Sequence, residues 1–125
     1  MKRRPARPLL FITFVIAAFA AGAVVSPAAQ DLPRLFSGVV SDSECGLDHT
    51  RMRTQHHLPN DLACTRDCCE KFKQEYVLAD HAAGEVYQID DQKAVRKYGN
   101  RLVRILGTLE AESGKIRLVR IEAVR

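Results

Sequence analysis

All four cysteines of this chain lie between residues 45 and 69, together with three of its four histidines. This clustering constrains the fold more than any other feature, because thiols form disulfides and, with imidazoles, bind soft metal ions. Either role requires the side chains to meet in space. We therefore expect this segment to hold the fold in shape or to carry the chemistry of the protein.

The N-terminal residues have the pattern of an export signal. A basic stretch at 2–7 precedes an apolar run at 9–25, which is typical of secretory signal peptides. We predict a signal peptide at 1–23, a flexible lead-in at 24–34 and one domain at 35–125. Because the run is just long enough to cross a bilayer, an uncleaved N-terminal anchor is the alternative. The protein is predicted to be exported, to the periplasm or out of the cell.

The net charge of +4 comes from 19 basic and 15 acidic residues. Four of the basic residues lie in the predicted signal peptide, namely Lys2, Arg3, Arg4 and Arg7. The mature chain is therefore electrically neutral. A neutral exported chain gives no support for nucleic-acid binding, so we expect no nucleic-acid partner, no membrane contact beyond an N-terminal anchor, and a monomer.

Apolar patterning and turn residues predict five strands, at 35–41, 76–80, 86–90, 101–110 and 116–124. A helix is predicted from Asn60 or Asp61 to about Glu75, after an irregular stretch at 49–59, and a short helix at 91–98 precedes the fourth strand. Four residues are available for the buried face of the longer helix: Leu62, Cys68, Cys69 and Phe72.

Five strands with a helix between the third and the fourth is the order of an OB-fold. We therefore expect a mainly β protein, a small five-stranded OB-like Greek-key barrel with a helical, cysteine-bearing insertion after the first strand. A simple meander with the helix across one face is the alternative. Gly38 indicates a bulge or a close backbone approach, and Gly107 a bend. Val103, Ile105 and Leu109 should share one face of the fourth strand.

Two stretches carry a resemblance to a known family. Residues 38–49 have the pattern G-x-V-S-D-x-x-C-G-x-x-H, and residues 64–68 the pattern C-T-x-x-C. This signature is similar to that of a family of small exported bacterial proteins of unknown function, and it implies an OB-like barrel but no activity. The cysteine and histidine positions of the pattern are Cys45, His49, Cys64 and Cys68. Cys69 departs from the pattern.

A structural disulfide from Cys45 to Cys64 or Cys68 is the interpretation that the sequence favours, because small exported domains commonly use cross-links to supplement a limited core. Such a bond would close a loop of about 20 residues and stabilise the fold by about 3 kcal/mol. It would tie the helix to the end of the first strand, with no cofactor.

A metal site is the alternative. Cys64 and Cys68 are four residues apart, so on a helix both sulfurs point to the same side. With Cys45 and His49 they would offer three thiolates and one imidazole, a set suited to zinc or copper. A redox centre at the adjacent Cys68 and Cys69 is a third interpretation.

A second surface is suggested by the predicted barrel. Its candidate ligand-face residues are Tyr87, Arg104, Arg117 and Arg120. Solvated charges on a half-exposed sheet explain these arginines as well. Because no catalytic arrangement stands out, we do not expect an enzyme. The sequence favours a non-catalytic binding or structural module of the cell envelope, with a zinc- or copper-binding module as the alternative.

Overall fold

The computed structural model of the protein describes residues 32–125. The predicted signal peptide, and all but the end of the predicted lead-in, lie outside the described residues. None of the helices within 32–125 has the length and apolar composition needed to cross a membrane.

The described chain is mainly β, as predicted. Its five strands are β1 (Arg34–Asp42), β2 (Tyr76–Asp80), β3 (Glu85–Ile89), β4 (Leu102–Leu109) and β5 (Lys115–Ala123). They pair in a closed ring in the order β1, β2, β3, β5, β4, with β4 returning to β1. The pairing of β3 with β5 is parallel and the other four pairings are antiparallel. The sheet is therefore mixed.

Three helices accompany the ring. They are α1 (Thr50–His56) and α2 (Asp61–Glu70), both between β1 and β2, and α3 (Gln92–Val95), which continues as a 3-10 turn (Arg96–Tyr98) before β4. The side chain of Asn60 caps α2, as predicted, by accepting a hydrogen bond of 2.9 Å from the backbone N–H of Ala63. The predicted insertion after β1 is thus helical and carries all four cysteines.

Two features of the insertion differ from prediction. Helix α1 occupies a stretch predicted to be irregular; it buries no residue, so its sequence lacks the apolar periodicity that marks a helix. Helix α2 ends at Glu70 rather than near Glu75. Lys73 takes a left-handed φ of 59°, and the N–H of Gln74 donates to the carbonyl of Cys68, which closes the helix.

The buried face of α2 also differs from prediction. Leu62 and Phe72 were expected to be buried but are 40% and 46% exposed. The residues that α2 buries are Cys64, Thr65 and Cys68. This helix therefore packs on the strands through sulfur and hydroxyl groups rather than through large apolar side chains.

The core of the protein lies within the ring of strands. Its buried residues are Phe36, Val40, Tyr76, Leu78, Ile89, Val95, Val103, Ile105 and Ile116. On β4, Val103 and Ile105 face this core and Leu102 is exposed, which confirms the predicted alternation. Leu109 is half-buried against the core.

Two glycines lie where backbones approach closely. A Cβ atom on Gly38 would lie 2.5 Å from the carbonyl oxygen of Ala79 on β2, and one on Gly107 would lie 2.6 Å from that of Arg117 on β5. The pairing of β4 with β5 shifts register between Leu106 and Gly107. Both predicted irregularities are present, and each requires a residue without a side chain.

We expect Gly38→Ala to lower the free energy of unfolding by about 1–3 kcal/mol, the usual cost of forcing an extra methyl group into a packed interior. Ser37→Ala, at the exposed neighbouring position of β1, is the matched control and should change stability little. Urea unfolding followed by circular dichroism measures both. Equal stabilities of the two variants would contradict the close approach of β1 and β2.

Candidate metal centre

A tight turn at the end of β1 positions the first part of the centre. The Oδ1 atom of Asp42 accepts a hydrogen bond of 2.9 Å from the backbone N–H of Cys45. The N–H of Gly46 donates to the carbonyl of Asp42 at 2.8 Å, and Gly46 has the left-handed φ of 57° that favours glycine. The turn therefore brings Cys45 back beside the carboxylate of Asp42.

Helix α2 supplies the second part. Cys64 and Cys68 lie one helical turn apart on its buried face, and both are fully buried. The cap formed by Asn60 fixes the first turn of the helix just before Cys64. The end of β1 and the buried face of α2 thus meet at these side chains.

Four side chains converge at this junction. One ligand atom each from Asp42, Cys45, Cys64 and Cys68 lies within 4.8 Å of all the others. The sulfurs of Cys45 and Cys64 are 3.7 Å apart. Disulfide sulfurs are about 2.05 Å apart, whereas a tetrahedral zinc ion with Zn–S bonds of about 2.3 Å separates its sulfurs by about 3.8 Å. The observed separation is that of two thiols in contact, and it also fits two ligands of one zinc ion.

His49 was predicted to be a ligand together with three cysteines, but the structure places it outside the converging group. Its side chain is buried, with Nε2 at 3.2 Å from Oγ of Ser41 and 3.0 Å from Oγ1 of Thr65. Because the Ser41 hydroxyl donates to the carbonyl of Gly46 at 2.7 Å, it must accept from His49, and Nε2 carries a hydrogen. With this hydrogen in place Nε2 cannot bind a metal, and Nδ1 faces Asp61, whose Oδ2 lies 3.9 Å away. The converging group therefore includes Asp42 and not His49.

Asp42 is a buried carboxylate with one unsatisfied oxygen. Its Oδ2 atom has no hydrogen-bond partner, although Nε2 of His49 lies 3.3 Å away. Burial, the largest single influence, opposes ionisation, but His49 and the N–H of Cys45 outweigh it and hold the pKa of Asp42 below its usual value. Asp42 is therefore ionised in the folded protein, and its unpartnered oxygen is free to bind a cation at this junction.

The pKa values of the three thiols shift in the opposite direction, upward. Burial, followed by the negative charge of Asp42, raises the pKa of Cys68 to about 12 and also raises the pKa of Cys45. Burial likewise raises the pKa of Cys64. These thiols are therefore protonated at neutral pH in the absence of a cation. A metal ion bound at the centre would displace their protons, because coordinating thiols are deprotonated.

Cys69 is not part of the group. It is half-buried and packs against the core on another side of α2. Burial raises the pKa of Cys69 to about 12, so this thiol also lacks the thiolate character that a redox centre needs.

Three of the four candidate ligand-face residues on the strands contact a partner of their own. Tyr87 packs its ring against Phe36, with the centroids 5.4 Å apart. Arg104 forms an ion pair with Glu122 on β5, and Arg117 with Glu110, the residue after β4. Of these arginines only Arg120 lacks an ion pair within residues 32–125, so alternating charges describe this face well.

Asp42 was not among the ligands predicted from the sequence. It caps the turn through Oδ1, and one of its carboxylate oxygens belongs to the group with the three thiols. The available signal was the spacing of Asp42 three residues before Cys45, because an aspartate that accepts from the N–H at that distance holds its second oxygen near the following thiol.

Comparison with known protein families, with curated proteins and with solved structures finds no match for this chain. The family resemblance stays a prediction. Function must be inferred from the geometry of the residues themselves.

The raised thiol pKa values predict a loss of stability at alkaline pH for the reduced, metal-free protein. The unfolded thiols ionise near pH 9 and the folded Cys68 thiol near 12, so the folded state retains its protons longer and is destabilised as pH rises through this interval. Urea midpoints at pH 8 and pH 10.5, with reductant and chelator, measure the loss. Cys68→Ala should show a smaller decrease, and the same decrease in both proteins would contradict the assignment.

Proposed function

We propose that this protein is a small exported metal-binding module that holds one zinc ion between Asp42, Cys45, Cys64 and Cys68. One observation carries the proposal: a fully buried carboxylate, one oxygen of which has no hydrogen-bond partner, lies with three thiols in a group whose atoms are all within 4.8 Å of one another. Three thiolates and one carboxylate would complete the tetrahedral shell of a zinc ion, and each side chain of the group would supply one ligand atom.

The donor atoms favour zinc over other metals. Calcium and magnesium require a shell made of oxygen atoms, which three thiols cannot provide. Cuprous copper prefers sulfur alone, whereas zinc accepts both thiolate and carboxylate in a tetrahedral shell. The N–H of His49 beside Asp42 resembles the outer-shell donors that orient the ligands of zinc sites.

A disulfide between Cys45 and Cys64 is the second candidate, and their separation of 3.7 Å favours that pair over a bond to Cys68. The disulfide explains the placement of fewer side chains at the site than a metal ion does. Closing the bond would consume two thiols and would leave the buried Cys68 and the unpartnered oxygen of Asp42 without a role. The metal accounts for all four side chains.

The proposed role of the ion is structural. Four protein ligands complete a tetrahedral shell and leave no position for a substrate, as in structural rather than catalytic zinc sites. We also propose that the ring of strands is an OB-like barrel, supported by its strand order and the parallel pair of β3 and β5. The leader pattern supports export to the cell envelope.

Single ligand substitutions test the site. Asp42→Asn, Cys45→Ser, Cys64→Ser and Cys68→Ser should each lower zinc affinity more than about 100-fold, because even outer-shell changes cost about 10- to 100-fold. Competition with a chromophoric chelator measures the affinity. Cys69→Ser is the matched control and should bind zinc as the parent does. Unchanged affinity in the Asp42 and Cys68 variants would rule out the site.

A further pair of variants distinguishes Asp42 from His49 as the fourth ligand. His49→Gln keeps a polar side chain beside Asp42, so it should weaken zinc binding less than Asp42→Asn does. The same competition assay compares them. A larger loss in the His49 variant would show that the imidazole, and not the carboxylate, completes the shell.

A further inference from the structure

A cleft of about 500 Å³ lies on the opposite side of α2 from the thiols. Leu62, Arg66 and Glu70 are spaced four residues apart on α2 and form one wall. The opposite wall comes from Lys93 and its neighbours in the short helical segment before β4. The cleft is large enough for a small ligand and shares no ligand atom with the proposed zinc site.

The charges around this cleft are unbalanced. Four basic residues line it, namely Arg66, Lys93, Arg96 and Lys97, with Glu70 as the only lining acid. Glu70 accepts a hydrogen bond of 2.9 Å from Arg96 and is thereby neutralised. Among the ion pairs found in residues 32–125, none involves Arg66, Lys93 or Lys97.

This excess is local, because the predicted mature chain is neutral overall. Other basic residues within 32–125, such as Arg120, also lack an ion pair, but Arg66, Lys93 and Lys97 line one cleft together. Three uncompensated cations therefore converge on one concave surface, which concentrates positive potential where a ligand can enter.

We propose that this cleft binds a phosphate group. A single carboxylate would balance only one of the three cations, whereas a phosphate monoester or diphosphate carries two or more charges and several acceptor oxygens. Arg66 offers a planar fork suited to two of those oxygens, and Lys93 and Lys97 act as point charges. The ring of Tyr76 and the half-exposed side chain of Leu62 give apolar surface for the rest of the ligand.

Two sources can supply such a group: a soluble phosphorylated molecule or a lipid whose headgroup is a phosphate monoester, such as phosphatidic acid. Their chemistry at the cleft is the same, so the test includes both. The proposal does not depend on zinc, and it is tested on the purified full mature chain in its native metal state.

Titration calorimetry with pyrophosphate, and flotation with vesicles that contain phosphatidic acid, compare the parent with the double variant Arg66→Gln, Lys97→Gln. We expect binding by the parent to at least one probe, weakened about 10-fold or more in the double variant. Binding of pyrophosphate assigns a soluble ligand, and binding of vesicles alone assigns a lipid phosphate.

The matched control is the double variant Arg120→Gln, Arg125→Gln, which also removes two positive charges. Both residues are exposed, and neither lines the cleft. This control should bind as the parent does. Absence of binding to both probes, or an equal loss in the control variant, would overturn the proposal. Circular dichroism spectra that match the parent establish that each variant is folded.

Discussion

The arrangement of the insertion depends on the contact between the buried carboxylate of Asp42 and the thiols around it. Residues 43–75 bury only His49, Cys64, Thr65 and Cys68, none of them a large apolar side chain. Hydrophobic burial therefore contributes little to holding this segment on the strands. What joins them is the contact of Asp42 and Cys45, at the end of β1, with the thiols of α2. A cation bound there would link both elements and compensate the charge of Asp42, so metal binding would be coupled to folding of the insertion.

The same group explains how thiols could persist in an exported protein. Thiolates, not thiols, react with disulfides and oxidants. Burial and the charge of Asp42 raise the thiol pKa values, so the metal-free site holds unreactive thiols. In the proposed site, zinc would bind the sulfurs and hold them farther apart than the two sulfur atoms of a disulfide. Cys45 is the most exposed of the three and is the point at which oxidation would begin.

Much of the fold could be predicted because its signals are local. β-branched runs marked the strands, Asn60 marked the start of α2, and Gly38 and Gly107 marked the close approaches. Helix α1 was not predicted because it has no buried face and therefore no apolar periodicity. The end of α2 was misplaced because it depends on the left-handed backbone conformation of Lys73. At the site, the spacing of Cys64 and Cys68 predicted their convergence. The spacing of Asp42 and Cys45 offered a signal for Asp42, but the position of His49 outside the group could not be predicted, since it depends on contacts with Ser41 and Thr65.

The most direct test of the zinc assignment is native mass spectrometry of the protein, purified without reductant and without added metal, and repeated after denaturation with a chelator. We predict one zinc ion per chain in the native spectrum, with all four thiols free for alkylation once the metal is removed. A metal-free native mass lower by two hydrogens, with only two alkylated thiols, would contradict the account and would establish a disulfide in place of the zinc site.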